Sequence, residues 1–96
     1  MKATLVLRRR ETLPDAIVIE MVIWQLPVDT SDRPHRFKYR LQAHRGGRTL
    51  VRYDNEAGKG DHRHYGRREQ PYAFIGMERL IEDFIADVER LGGKHG

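Results

Sequence analysis

Residues 36–54, RFKYRLQAHRGGRTLVRYD, place a Gly-Gly pair between two strand-like segments. In residues 36–44 apolar and polar side chains alternate, which is typical of a strand with one buried face and one face in solvent. Gly46-Gly47 is a common signal for a tight hairpin turn, and residues 48–54 return as a second strand. The stretch therefore predicts an antiparallel hairpin whose solvent face is positively charged.

Two further strands are predicted on the N-terminal side of this hairpin. Residues 2–9 are rich in β-forming side chains, and Thr12-Leu13-Pro14-Asp15 supplies a turn before residues 16–26. The second of these strands is almost wholly apolar, so we expect both of its faces to be covered. On that interpretation Trp24 belongs to the core or to an interface rather than to a surface that stacks on bases. Residues 27–34, with a proline at each end, predict a surface loop.

The C-terminal part of the chain predicts one amphipathic helix over residues 76–92. Apolar side chains from Met77 to Leu91 follow the spacing of a single helical stripe, and Gly92-Gly93 is a C-terminal stop signal. The intervening residues 55–71 predict a mostly irregular segment. Together these elements predict an α+β fold in a single domain, residues 1–96, with a four-stranded antiparallel meander and the C-terminal helix packed on one face.

Composition limits the class of protein. Cysteine is absent, which excludes disulfides, thiolate zinc sites and a cysteine nucleophile, and suits a reducing cytoplasm. No apolar run approaches the ~20 residues of a membrane helix, and Met1-Lys2 leads into a strand-like stretch instead of a signal sequence. We therefore expect a soluble cytoplasmic protein with no membrane partner. The sequence leaves the oligomeric state open.

Positive charge is concentrated in the middle of the chain. Residues 33–68 hold eleven Lys or Arg against three acids, a net charge of +8, whereas residues 76–92 hold two Arg against five acids, a net charge of −3. This segregation favours a surface that contacts phosphates over a merely solvated basic face. The residues predicted to contact nucleic acid are Lys38, Arg40, Arg48, Arg52, Tyr53, Arg67 and Arg68.

Residues 58–68, GKGDHRHYGRR, combine two histidines with cations, a carboxylate and three glycines. In an extended segment His62 and His64 project to the same side, because side chains alternate, while Arg63 points away from them. Two imidazoles within reach of one substrate are suited to general acid–base catalysis. The predicted catalytic residues are His62, His64, Asp61, Lys59 and Arg63.

Three chemistries are compatible with this pair of histidines. In the first, one imidazole takes the proton of a ribose 2′-hydroxyl, the other protonates the 5′-oxygen leaving group, and cations neutralise the phosphorane. In the second, the His-x-His pair and Asp61 ligate zinc or manganese, with water as a further ligand. In the third, the side chains only hydrogen-bond nucleic acid. We favour the first, which needs neither a metal nor another cofactor.

The end of the fourth predicted strand, Tyr53-Asp54-Asn55, has alternative interpretations. Asp54 is placed to orient an imidazole, but Asp and Asn at a strand end more often form an Asx turn, and we prefer the turn. Tyr53 either stacks on a base or packs as a half-buried residue, and packing is the commoner role of a tyrosine in so small a domain.

Several segments resemble the TumE-like toxins of bacterial and archaeal type II toxin–antitoxin modules. They are residues 1–5 (MKATL), 22–27 (VIWQLP), 35–39 (HRFKY), 51–56 (VRYDNE), 58–64 (GKGDHRH) and 71–74 (PYAF). The resemblance extends over nearly the whole chain, and Tyr53-Asp54-Asn55 followed by His-x-His is its most specific part. It implies a toxin that is neutralised by a helix-turn-helix antitoxin, and an RNA target fits the basic strands.

The preferred function is therefore a toxin that acts on RNA as a metal-independent ribonuclease, with RNA and a cognate antitoxin as partners. The resemblance supplies no catalytic assignment, so the roles given to His62 and His64 depend on their chemistry alone. The first alternative is a non-catalytic module that binds nucleic acid or protein. The second is a metal-dependent nuclease that uses the His-x-His pair.

Overall fold

The computed structural model describes residues 2–28, 33–56 and 59–92 and contains one sheet and one helix. The strands are β1 (Thr4–Thr12), β2 (Val18–Gln25), β3 (Phe37–Arg45), β4 (Arg48–Asp54), β5 (His62–Tyr65) and β6 (Arg68–Pro71), and the helix is α1 (Met77–Leu91). The strands lie in the order β1-β2-β3-β4-β5-β6, each antiparallel to the next. The predicted α+β class, the meander and the C-terminal helix are confirmed.

The prediction of four strands was wrong, because the segment 55–71, predicted to be mostly irregular, contains the β5–β6 hairpin. Each of these strands has four residues and mostly polar side chains, so neither gives the apolar alternation by which strands are recognised. Pairing with β4 and a turn in which Gly66 has a φ of 61° determine their conformation. Three parts of the predictions lie outside the described residues: residues 29–32 of the loop, Gly58 of the histidine segment and Gly93 of the helix stop signal.

β2 is fully buried on one face only. Ile19, Met21 and Ile23 are buried, whereas Val22 and Trp24 on the opposite face are half-exposed. The expectation that both faces are covered was therefore wrong, and Trp24 is not a core residue. The physical reason is that a single helix covers a single face of the sheet, and within the described residues no second helix lies over the other.

The helix packs on the sheet at β4 through its apolar stripe. Leu80, Phe84 and Val88 are buried, and the Phe84 ring meets the Tyr53 ring edge-on with 5.9 Å between their centres. Burial of this stripe is what holds a helix of ordinary propensity in place. Among the described residues, no helix combines the length and the apolar character needed to cross a membrane.

A buried carboxylate links the helix to β4 and β5. Asp87 accepts hydrogen bonds from the hydroxyls of Tyr53 (2.5 Å) and Tyr65 (2.6 Å) and from Arg90 (2.9 Å). Burial acts to raise the pKa of Asp87, but these three hydrogen bonds outweigh burial and lower it below its ordinary value. Asp87 is therefore an ionised residue that ties both strands to the helix.

Arg63 extends the same link from the centre of β5. It donates a hydrogen bond to the Tyr53 hydroxyl at 3.0 Å, and its guanidinium lies 5.4 to 5.7 Å from the ring centres of three tyrosines, residues 53, 65 and 72. Such contacts are cation–π interactions, and they fix the side chain on the helix side of the sheet. Because side chains alternate along a strand, the neighbours of Arg63, His62 and His64, face the other side.

Candidate active site

The face of the sheet opposite the helix is polar and carries most of the candidate residues. Directly paired residues on neighbouring strands share a face, so the strand registers determine which residues belong to it. We call it the open face; it includes Arg8 and Arg10 of β1, Val22 and Trp24 of β2, Lys38 and Arg40 of β3, Arg52 and Asp54 of β4, His62 and His64 of β5, and Glu69 of β6.

Asp54, His62 and His64 come together at the β4–β5 side of the open face. Asp54 lies directly opposite His62, and Arg52 lies directly opposite His64. The two imidazole rings have 5.0 Å between their centres and an angle of 73° between their planes. Strand pairing therefore places the two imidazoles side by side and adds a carboxylate that the sequence prediction had assigned to a turn.

His62 is buried and contacts an acceptor at each ring nitrogen. Its Nε2 lies 2.6 Å from Oδ1 of Asp54, which is within the distance of an ion pair, but the angle between the two groups is outside that of a well-formed hydrogen bond. Its Nδ1 lies 3.0 Å from the carbonyl oxygen of Gly60. A carboxylate oxygen and a carbonyl oxygen accept hydrogen bonds, so each ring nitrogen of His62 faces an acceptor. Asp54, whose side chain is 2 % exposed, thus fixes the position of the His62 ring.

His64 is less buried and has a different electrostatic environment. Partial burial and the positive charge of Arg52 lower the pKa of the His64 imidazole, against weaker opposing effects of Glu69 and Asp54. The Arg52 guanidinium lies 3.4 Å from Nε2 of His64. A guanidinium can only donate hydrogen bonds, so this nitrogen presents its lone pair to Arg52. At neutral pH His64 is therefore uncharged and able to accept a proton.

The same three residues have the spacing of a metal site. One ligand atom each from Asp54, His62 and His64 lies within 4.8 Å of the others, a distance that a single transition-metal ion could bridge. However, Arg52 already contacts two of them: its Nε is 2.9 Å from Oδ2 of Asp54, and its guanidinium also faces His64. A divalent cation that bound there would have to displace this positive charge.

The other predicted catalytic residues lie farther from the imidazoles. Asp61 accepts a hydrogen bond from the Tyr39 hydroxyl (2.6 Å) and lies 3.1 Å from Nε2 of His35, so its carboxylate is engaged elsewhere. Lys59 is exposed and lines a shallow depression beside His62. Arg63 is on the helix side. The structure therefore brings together His62 and His64, keeps Lys59 at the rim, and places Asp61 and Arg63 in structural contacts.

The residues predicted to contact nucleic acid are divided between the two sides of the sheet. Lys38, Arg40 and Arg52 lie on the open face, Arg48 and Arg68 are paired with residues of the helix side, and Arg67 occupies the β5–β6 turn. A bulge in β4 causes the change of side between Arg52 and Arg48. Tyr53 is fully buried beneath the helix, which agrees with the packing role favoured from the sequence and leaves it unavailable as a nucleic-acid contact.

A profile of the family described as Toxin TumE matches residues 2–91, almost the whole chain. This chain belongs to the TumE toxin family. The resemblance recognised in its segments is thereby confirmed, and membership of a toxin family implies an antitoxin as partner. No significant match was found among curated proteins or among solved structures.

The most specific TumE-like motif, Tyr53-Asp54-Asn55, connects β4 to three other parts of the fold. Tyr53 reaches the helix and Asp54 pairs with His62. The Asn55 side chain accepts a hydrogen bond from the Tyr39 amide (3.0 Å) and donates one to the Phe37 carbonyl (2.7 Å), so it continues the pairing of β3 where β4 ends. These long-range contacts replace the local Asx turn that we preferred from the sequence.

Sequence reasoning about this TumE-family chain missed part of the open face. Arg8 and Arg10 were not among the residues predicted to contact nucleic acid, and the first strand, expected over residues 2–9, is β1 from Thr4 to Thr12. Trp24 was assigned to the core or an interface. The sequence did contain a signal that Trp24 faces solvent. Trp24 is an even number of positions from Glu20, the only charged residue of the strand, so the two side chains lie on the same face, and a charged residue marks the solvent side.

Proposed function

We propose that this TumE-family protein is a toxin that cleaves RNA without a metal, with His62 and His64 as catalytic residues and Asp54 as the residue that positions His62. The observation that carries the proposal is the pair of imidazoles with 5.0 Å between their centres, in which His62 faces the acceptors of Asp54 and Gly60 and His64 lies beside the Arg52 guanidinium. General acid–base catalysis requires one imidazole that donates a proton and one that accepts a proton, and we assign these roles to His62 and His64. Its site of action would be the cytoplasm, where RNA is the accessible target.

In the proposed reaction His64 accepts the proton of a ribose 2′-hydroxyl while the 2′-oxygen attacks the adjacent phosphorus. His62, whose ring nitrogens face Asp54 and the Gly60 carbonyl, turns one N–H to the 5′-oxygen and gives it that proton as the bond between phosphorus and that oxygen breaks. The products are a 2′,3′-cyclic phosphate and a free 5′-hydroxyl. Arg52 beside the imidazoles and Lys59 at the rim stabilise the negative charge that develops on the phosphorane.

The proposal is tested by incubating the purified protein with end-labelled single-stranded RNA, with and without EDTA. Cleavage that survives chelation and leaves a cyclic phosphate supports it. Cleavage that chelation abolishes and zinc or manganese restores would assign the cluster of Asp54, His62 and His64 to a metal-dependent nuclease instead. Binding without cleavage would leave a non-catalytic RNA-binding module.

RNA affinity is expected to fall steeply with salt, because Lys38 and Arg40 offer exposed cations on the open face. Each phosphate contact adds about 0.7 to the slope of log affinity against log salt for single strands. Arg40→Glu should weaken binding to all RNA sequences alike, since contacts to the backbone carry little sequence information. Fluorescence anisotropy of labelled RNA at several salt concentrations measures both effects.

The matched control for this charge reversal is Arg79→Glu. Arg79 lies on α1, on the other side of the sheet, and pairs with Asp83, so its reversal should leave the slope almost unchanged. An affinity that does not depend on salt, or equal losses in the two variants, would exclude the open face as the RNA surface.

We further propose that the antitoxin is a helix-turn-helix protein that covers the open face. A toxin is neutralised most directly when its partner occupies the surface used by its target, and the cationic side chains there suit an acidic partner segment. RNA and antitoxin should then compete for the toxin in a binding assay. Simultaneous, independent binding of both would contradict a shared surface.

A further inference from the structure

Trp24 lies in a shallow groove at the β1–β3 side of the open face, away from the histidines. Besides Trp24, the groove is lined by the three arginines of β1, by Arg40 and Gln42 of β3 and by three further residues of β2, which are Glu20, Met21 and Val22. A second depression beside it reaches Lys38. Trp24 lines both, and within the described residues it takes part in none of the aromatic pairs or cation–π contacts of the fold. Its half-exposed indole is therefore available to a ligand.

A bulge in β1 helps to build this groove. Leu5 pairs with Trp24 but Leu7 pairs with Ile23, so one extra residue is inserted and the side-chain alternation changes. As a result Leu5 and Arg8 both face the open side, although they are three positions apart. Without the bulge one of the two would point towards the core side.

The charges around the indole are mostly positive and mostly unpaired. Among the described residues, Arg8, Lys38 and Arg40 form no salt bridge with an acid. Two acids lie nearby. Glu20 is engaged by Arg10 and by the Gln42 side chain, and Glu56 lines the second depression with Lys38 and Arg40 but forms no salt bridge with either. Three free cations around an aromatic ring are the combination by which proteins hold a single strand: the ring stacks on a base and the cations contact phosphates.

We propose that the Trp24 groove is a subsite for single-stranded RNA, in which one base stacks on the indole while Arg8, Lys38 and Arg40 contact the neighbouring phosphates. The inference rests on the proposed function, because it assumes that RNA is the target. A protein partner is the less favoured occupant, because the lining of the groove is mostly polar and charged and its apolar members Val22 and Trp24 are only half-exposed, whereas an apolar interface needs a contiguous patch.

The subsite and the catalytic histidines lie on one continuous face. Trp24 is opposite Lys38, and the next open-face residue of β3, Arg40, is opposite Asp54, which pairs with His62. With strands spaced about 4.8 Å apart, the indole and the imidazoles are separated by roughly 15 Å. A short single strand that crosses β2 to β5 would therefore place one nucleotide on Trp24 while another reaches the histidines.

Trp24 is the only tryptophan of the chain, so its fluorescence reports on this groove alone. Wild-type protein should be titrated with a short 2′-O-methyl single-stranded RNA, which lacks the attacking hydroxyl and stays intact. We expect saturable quenching that coincides with binding measured by anisotropy of the same labelled strand. Inorganic polyphosphate, which offers charge without bases, should compete for binding but should not quench.

Two substitutions of Trp24 distinguish the effect of base stacking on RNA affinity from the effect of side-chain volume. Trp24→Leu should weaken RNA binding about 10- to 100-fold, because stacking of one base is worth roughly 1–3 kcal/mol, whereas Trp24→Phe keeps an aromatic face and should lose less. Ile75→Leu, a change at a strongly exposed apolar residue outside the open face, is the control and should bind like the wild type. Circular dichroism verifies that each variant is folded.

RNA binding without quenching, or equal affinity of Trp24→Leu and the wild type, would overturn the subsite. Quenching by the antitoxin but not by RNA would also overturn it and would assign the groove to a protein partner. The cleavage assay is independent of these measurements. Cleavage with an unperturbed Trp24 would refute only the subsite, and quenching without cleavage would refute only the catalytic proposal.

Discussion

His64→Ala is expected to lower the rate of RNA cleavage about a hundredfold or more while leaving RNA affinity and folding nearly unchanged. The physical reason is that a general base acts in the transition state and contributes little to binding of the ground state. His64 is also only partly buried and makes one long contact, with Arg52, so its removal leaves no buried group without a partner. Single-turnover cleavage of labelled RNA measures the effect.

His62→Ala should reduce cleavage to a similar extent, and the double variant should be little slower than either single variant, because an acid and a base of one step act as a unit. His62 is buried against Asp54, so its variant needs a separate check of stability. His44→Ala is the matched control. It removes a histidine from the same face that lies near Glu20 and outside the cluster, and it should cleave like the wild type.

Full cleavage and full toxicity of the His62 and His64 variants would identify the histidines as bystanders. Loss of cleavage in His44→Ala as well would indicate that positive charge on the open face, rather than the particular pair, controls activity. Loss of RNA affinity in parallel with cleavage would assign the imidazoles to ground-state binding. Measuring the RNA affinity and the cleavage rate of the same variants distinguishes these three outcomes.

Asp87→Ala should lower the free energy of unfolding by about 3 kcal/mol, the largest stability effect we expect from a single polar residue. The substitution removes the acceptor of three hydrogen bonds and leaves the Tyr53 hydroxyl and the Arg63 guanidinium partly buried without their anion. Urea unfolding measures the change. Glu89→Ala, an exposed acid on the same helix, should be nearly neutral.

The same carboxylate should make stability depend on pH in the acid range. Because the pKa of folded Asp87 lies below its ordinary value of 3.8, its contribution is complete well above that value and is lost as pH falls towards the folded pKa. Asp87→Asn should therefore be less stable than the wild type at neutral pH, and the difference should shrink in acid. A difference that stays constant between pH 7 and pH 3 would contradict a lowered pKa.

Long and periodic signals in the sequence were enough to predict several elements of the fold. The alternation of residues 36–44, the Gly-Gly turn and the helical stripe ending at Gly92 correctly predicted β3, β4 and α1, because burial of one face imposes a period on the side chains. The same alternation correctly placed Lys38 and Arg40 on the solvent side, and the period of two placed His62 and His64 together. The family was also recognisable from short motifs.

The partners of these residues, in contrast, depend on contacts between segments that are distant in the chain. β5 and β6 are too short and too polar to be predicted, and they form because β4 offers an unpaired edge. That pairing gives His62 its carboxylate, Asp54, and the helix takes Tyr53 and Arg63 out of solvent. Trp24 is exposed because one helix covers only one side of the sheet. A local pattern records how a side chain alternates with its neighbours, but the residue opposite it depends on strand register and helix packing, which join residues far apart in the chain.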